Sequence, residues 1–454
     1  METPAQRDQR RGREREARER RFARRRQLRE ITTLSRVRKC GHDTVSDGGV
    51  TVGVRANPDG TSVAGYGGVS TCGSVWTCPQ CAAVIATRRA SELADVLRAV
   101  DNLGGSSWLV TLTVQHSRRH PLGWNRDDRA ENTRLLDRAR DRKYRAQLGD
   151  EIDPVEVAAD DQARAELDTR HGVWDAVGQG WAAVTSGGTW MKDQRRHGGL
   201  LGWVRAVEST TGRSGWHTHI HALLCFAEDP PDSEVRPIAE RMFARWKRRL
   251  NALGYDSSGD FAQDGKIPGW DVRRAEMHDN AMSNYLVKLA HEVTSGHRKE
   301  GMRPGGRTPM QLLADAVETY TVNDIRRWRE WEQASAGRRQ LTWSGRDRDL
   351  RQLADLGPEQ TDEEIAAEEL PADERIGLPP EAWGWIRQGQ HETTVLDVAE
   401  AEGIAGLVRW LDQHDQPWVI STPAELRPKT PDGRPLRRPS DRPPRWSDDA
   451  RMVC

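Results

Sequence analysis

The alternation of apolar and polar positions divides the chain into a few strands, several amphipathic helices and long charged stretches. Ser107–Val114 (SWLVTLTV) is a dense apolar and β-branched run entered through Gly104-Gly105, which predicts a buried strand. Leu200–Thr210 predicts a second strand, Thr211–Gly215 a turn and Trp216–Leu224 a third strand, so the last two form a hairpin. Gly269–Arg273 is a further short strand. Helical spacing predicts helices after Cys81 (AAVIATRRASELADVLRAV), around Trp174–Trp190, over 234–252, 278–294, 310–316 and 324–334, and again over 382–386 and 395–411. Residues 117–170 are highly charged without dense apolar periodicity and read as a helical insertion or a mobile loop. No internal repeat is present.

The third strand carries candidate chemistry. His217, His219 and His221 alternate with Thr218, Ile220 and Ala222, so all three imidazoles leave one face of an extended chain. With a loop over 211–214, Thr210 pairs with Gly215, Glu208 with His217 and Ala206 with His219. Glu208 then shares the histidine face. Imidazoles beside a carboxylate suit a Mg²⁺ or Mn²⁺ with open positions. Competing readings are histidines that only satisfy hydrogen bonds, a structural zinc site, and Glu208 as an exposed partner of Arg205 or Arg213. On the helix over 278–294, Tyr285 and Lys288 stand at i and i+3 on one face. Tyrosine, with a pKa of about 10, is a poor nucleophile unless the electrophile is strongly polarised. A phosphodiester held by a divalent cation meets that condition, and Lys288 could stabilise the phenolate or the charge developing on phosphate. The other tyrosines fit less well: Tyr66 falls in a Gly-rich turn, Tyr144 in a charged stretch and Tyr255 after a helix end, leaving Tyr320.

Composition sharpens this picture only where it is uneven. The 454 residues balance 69 Lys/Arg against 69 Asp/Glu, yet residues 1–39 hold 15 basic and 6 acidic side chains. Nine acids and no base fill 355–374. Such segregation predicts a polyanion-binding arm and a solvated acidic linker. The Arg-rich run 7–29 reads equally as a phosphate-contacting arm or a solvated disordered tail. Arg over Lys, and 18 Trp against 4 Phe, fit a GC-rich genome as well as they fit function. Cys72, Cys78 and Cys81 (Cys-Pro-x-Cys) have zinc-ligand spacing, with Cys40 or His42 as the fourth ligand of a structural site. There is no run of 18 apolar residues and no apolar signal core after the basic N-terminus, so a cytoplasmic, reducing setting is expected.

Three segments in order carry a resemblance. Trp108-Leu109-Val110-Thr111-Leu112-Thr113, His219-Ile220-His221 and Asn284-Tyr285-Leu286-Val287-Lys288 resemble the three motifs of rolling-circle replication initiators in the His-hydrophobe-His endonuclease superfamily. Cys72 to Cys81 and Gly337–Ser344 resemble the branch found on actinobacterial plasmids and integrative elements, and the likeness spans about 40–345. It implies an α+β fold with a central antiparallel sheet and flanking helices. It also implies metal ligation by His219 and His221, with His217 a neighbour, while Glu208 enters as a third ligand from the hairpin register alone. Tyr285 would attack a DNA strand at an origin, keep the 5′ phosphate and release a 3′-OH primer, with host helicase and polymerase as further partners. Where some relatives carry a glutamate four residues before the tyrosine, this chain has Ala281. The implied organisation is a basic arm (1–39), a zinc-binding segment (40–89), an endonuclease domain (90–345), an acidic linker (346–380), a small helical region (381–420) and a disordered Pro/Arg-rich tail (421–454). Two alternatives share the metal and tyrosine chemistry, a conjugative relaxase and a single-tyrosine transposase. A non-catalytic, zinc-dependent DNA-binding regulator is the alternative from another class.

Overall fold

The computed structural model describes residues 3–45, 47–114, 117–118, 120–123, 126–168, 172–195, 199–255, 269–275, 306–345 and 348–420. The expected helix over 278–294, with Tyr285, Lys288 and Ala281, and the expected tail 421–454 lie outside them. Nine strands are described: β1 (Val50–Ala56), β2 (Ser62–Gly67), β3 (Ser106–Thr113), β4 (Leu200–Gly212), β5 (Gly215–Phe226), β6 (Trp270–Arg274), β7 (Leu341–Trp343), β8 (Glu374–Leu378) and β9 (Val419–Ile420). The chain divides into two compact units, Met1–Ala23, Lys39–Thr71 and Ala367–Cys454 in one, Arg24–Arg38 and Cys72–Ala366 in the other.

The larger unit is built on a five-stranded sheet in the order β6-β3-β5-β4-β7, every neighbouring pair antiparallel. The histidine strand β5 lies at its centre. The helix Pro79–Asn102 packs on one face of the sheet, where its Leu93, Val96, Leu97 and Val100 form one core with Leu109, Val204, Ala206 and Leu223. Burying aliphatic side chains of this size is worth roughly 1.5–3 kcal/mol each. Alternation along β4 and β5 places Glu208, His219 and His221 on the same face, beyond that core. On the opposite face Trp203 meets Trp181 of the helix Val173–Val184 edge-on, with centroids 4.9 Å apart. Trp246, from the helix Asp232–Ala252, donates its indole N–H to the Thr113 carbonyl. At the start of β5, Trp216 stacks on Trp331, which also packs against Trp76 and Trp174. The tryptophan excess thus fixes the entry of the histidine strand.

One sequence expectation is narrowed here to the first of its two alternatives, and another changes. The charged region 117–170 contains the helices Arg126–Gln147 and Pro154–Asp168. The β4–β5 turn is shorter than expected, with Gly212 paired to Gly215 and only Arg213 and Ser214 between them. Gly215 takes φ +93°, and a Cβ there would meet the Ser117 carbonyl oxygen at 2.8 Å. The expected register was therefore two residues off: Glu208 faces His219, not His217, and Ala206 faces His221.

The smaller unit has a sheet in the order β2-β1-β8-β9. Val50, Val52, Ile376 and Leu378 pack there with Trp383 of the helix Pro380–Gln388 and with Val395, Leu396 and Leu407 of the helix Glu392–Gln413. The N-terminal arm is a helix, Pro4–Ile31, and it is engaged: Phe22 joins this core, and Arg18 pairs with Glu400 at 2.7 Å and with Asp397. Tyr66 belongs to β2 rather than to a turn, and its hydroxyl donates to the Glu392 carbonyl. The sequence reading kept 40–89, the acidic stretch and 381–420 apart; β1 and β8 pair directly.

Candidate metal centre

Glu208 and His219 are cross-strand partners, and His221 follows two residues later on the same face. Their ligand atoms converge. His219 Nε2 and His221 Nε2 lie 3.0 Å apart, and Glu208 Oε2 lies 3.5 Å from the first and 3.3 Å from the second. Ligands on adjacent sites of an ion at about 2.1 Å are separated by about 3.0 Å in an octahedron and about 3.4 Å in a tetrahedron. The observed edges span that range, so the three atoms fit one face of a coordination polyhedron. Two facing Nε2 atoms at 3.0 Å cannot both carry protons, so at least one lone pair points into the shared space. Glu208 is buried, 6% exposed, which places a carboxylate where its charge needs a compensating cation.

The neighbouring strand supports the arrangement. Thr111 pairs with His221, and its Oγ1 lies 3.0 Å from His221 Nδ1. A proton on Nδ1 donated to that hydroxyl leaves Nε2 as the lone-pair nitrogen that a cation needs. His219 Nδ1 is buried with no hydrogen-bond partner among the described residues. His217 lies on the same face, its ring centroid 5.2 Å from that of His219, but it is not part of the converging trio. The alternative partners for Glu208 fall away: Arg205 projects from the opposite face, and Arg213 sits in the turn. Burial lowers the Arg205 pKa to about 10. Asp271, which sequence reasoning did not single out, pairs with Thr111 and so belongs to the site face while remaining exposed. Its only sequence signal was its place in the short strand β6.

A second cluster, within the larger unit, consists of Cys72, Cys78 and Cys81, all buried, with their sulfurs within 4.8 Å of one another. Thiolates at that spacing could hold a structural zinc. Of the two candidates for a fourth ligand, both in the smaller unit, Cys40 is buried, and His42 is exposed and pairs with Asp43 at 2.8 Å. Cys78 stands at the N-cap of the helix Pro79–Asn102 and makes no side-chain cap hydrogen bond. Cys225 is separate, its thiol pushed up to about 12 by burial in the sheet.

The geometry thus defines a chain with a two-histidine, one-carboxylate centre on an antiparallel sheet and a cluster of three buried cysteines. Among known proteins it is similar to the protein described as "Protein rep" from Streptomyces lividans, with 25% identity over 390 residues, 75% of this chain and 76% of that protein. It is also similar to a "Neomycin resistance protein" from Streptomyces cyanogenus, with 28% identity over 169 residues, 35% of this chain and 30% of that protein. No family model matches the chain. No solved structure matches it.

Proposed function

We propose that this protein is a Rep-type replication protein that nicks and holds one strand of origin DNA, a rolling-circle initiator of the His-hydrophobe-His class. The observation that carries the reading is the convergence of Glu208, His219 and His221 on one face of a five-stranded antiparallel sheet. The likeness to a Streptomyces Rep protein over three quarters of the chain supports replication as the process and DNA as the partner. A bound Mg²⁺ or Mn²⁺ would supply Lewis acidity to a non-bridging oxygen of the scissile phosphate. Glu208, His219 and His221 would hold that ion, and Thr111 would keep His221 presenting Nε2.

The remaining roles come from the sequence pattern. Tyr285 Oη attacks phosphorus, the P–O3′ bond breaks, and the leaving 3′ oxygen takes up a proton. The phosphate stays on the tyrosine as a 5′-phosphotyrosine diester, so the bond energy is retained for rejoining. Lys288, three residues on in the sequence, stabilises the phenolate. The test is incubation of the purified chain with single-stranded origin DNA and Mn²⁺ or Mg²⁺, followed by denaturing electrophoresis. An SDS-resistant adduct is expected, and it vanishes in Tyr285→Phe while origin binding stays. If no adduct forms with any origin-containing DNA, the enzyme reading fails. A wild type and a Tyr285→Phe variant that behave alike in every assay would instead mark a zinc-dependent DNA-binding regulator.

A further inference from the structure

The acidic stretch is not solvated along its length. Residues 359–363 lie across a ridge of arginines within the larger unit. Arg89, buried at 5% exposure, donates to the Gln360 carbonyl at 2.6 Å and pairs with Asp362 at 3.2 Å and Glu359 at 3.6 Å. Arg88 donates to the Gln360 side chain at 3.2 Å. Arg36 pairs with Glu363 at 3.0 Å, and Arg339 with Glu359 at 3.6 Å. Gly73 lets the segment approach closely, since a Cβ there would meet Glu363 Cα at 2.8 Å.

Three features mark this contact as releasable. Arg36 and Glu363 are 57% and 51% exposed and Arg339 is 66% exposed, and ion pairs of that kind are weak and screened by salt. A cavity of about 400 Å³ remains among these residues, so the segment is not sealed into a packed core. Burial raises the Asp362 pKa against the pull of Arg89, so closing the segment desolvates a carboxylate. Arg89 also pairs with Glu92 at 3.1 Å, which would keep its guanidinium in place once the segment leaves.

We infer that Arg36, Arg88, Arg89 and Arg339 form a binding ridge for the DNA phosphate backbone, and that the chain's own segment 359–363 covers it as an internal polyanion. DNA phosphates and the carboxylates of Glu359, Asp362 and Glu363 compete for the same guanidiniums, so the segment holds down binding to arbitrary DNA. The inference rests on the reading that this protein binds DNA. It does not depend on Tyr285 or the metal.

The test uses the full chain carrying Glu359→Gln, Asp362→Asn and Glu363→Gln together, with a random-sequence duplex and no added Mg²⁺ or Mn²⁺. Neutralising the segment should tighten binding about tenfold near 100 mM salt, and steepen the slope of log K against log salt by about 2–3 as more counterions are released. Adding Arg36→Ala and Arg339→Ala should return affinity towards the wild-type value. Affinity and slope equal to wild type overturn the inference and leave a purely structural set of ion pairs. Should the triple variant fail to fold, protease cleavage within 359–367 of the wild type is read instead; duplex DNA should accelerate it, and an unchanged rate overturns the inference. Because no Mg²⁺ or Mn²⁺ is added and the duplex carries no origin, nicking plays no part, and an adduct in the Mn²⁺ assay with no gain here sinks only the ridge. Absence of DNA binding in every variant sinks both.

Discussion

Thr111 is the side chain whose loss distinguishes a cation site from a mere cluster of polar groups. Its Oγ1 at 3.0 Å from His221 Nδ1 is placed to accept a proton from that nitrogen, the arrangement that leaves Nε2 with the lone pair a cation needs. Replacing it by the near-isosteric valine removes that hydrogen bond and leaves the strand's packing intact. Partners of this kind are worth 10–100-fold in metal affinity. Thr111→Val is therefore expected to weaken Mn²⁺ binding about tenfold or more in calorimetric titration, with an unchanged circular dichroism spectrum. A Mn²⁺ affinity equal to wild type would remove Thr111 from the site. The carboxylate shows how far residues alone carry the argument. The sequence placed Glu208 on the histidine face even with the register wrong by two, because a two-residue slip preserves facing and only a one-residue slip reverses it. Which histidine it opposes was beyond reach, since that depends on a turn of two residues whose Gly215 must take positive φ.

At the scale of elements, dense apolar runs were readable and pairings were not. The strands around Trp108, Val204 and Ile220 and the helix after Cys81 follow directly from periodicity. The strands Val50–Ala56 and Ser62–Gly67 were missed because glycines at 53, 65 and 67 dilute their β signal. The pairing of Val52 with Ile376 joins segments more than three hundred residues apart, and no local pattern encodes it. The helix Pro79–Asn102 gives this scale its own prediction. Its N-cap, Cys78, makes no side-chain cap bond, so its first turn depends on what binds the sulfurs of Cys78 and Cys81. A thiolate bound to zinc at a helix N-terminus is favoured by the helix dipole and ties that turn down. The protein as purified should carry one zinc per chain by elemental analysis. Chelation, or Cys78→Ser, should cost at least about 2 kcal/mol, seen as a fall of several degrees in Tm. A metal-free preparation with an unchanged Tm would leave these cysteines as packing residues.

For the whole molecule, net charge is the misleading number. With 69 basic and 69 acidic side chains the chain is formally neutral, and neutrality alone predicts little attraction to DNA. The charges are segregated, however, and part of the segregation is internal. Arg18 is held by Glu400 and Asp397, and Arg89 by Glu92, Glu359 and Asp362. Arginines occupied in this way contribute nothing to DNA until their acids are displaced, whereas exposed ones such as Arg36 and Arg339 need only a change of partner. Binding should therefore behave as it does for a basic protein, not for a neutral one. Each phosphate neutralised releases condensed counterions, and the affinity falls with a slope of about −0.9 per contact. With four or more contacts, affinity for origin DNA without added Mg²⁺ or Mn²⁺ should drop by at least about two orders of magnitude between roughly 50 and 200 mM salt. Fluorescence anisotropy across a salt series measures this directly. A flat response would mean that the arginines serve the fold alone, and that any DNA reaching Glu208, His219 and His221 is held by contacts other than its backbone charge.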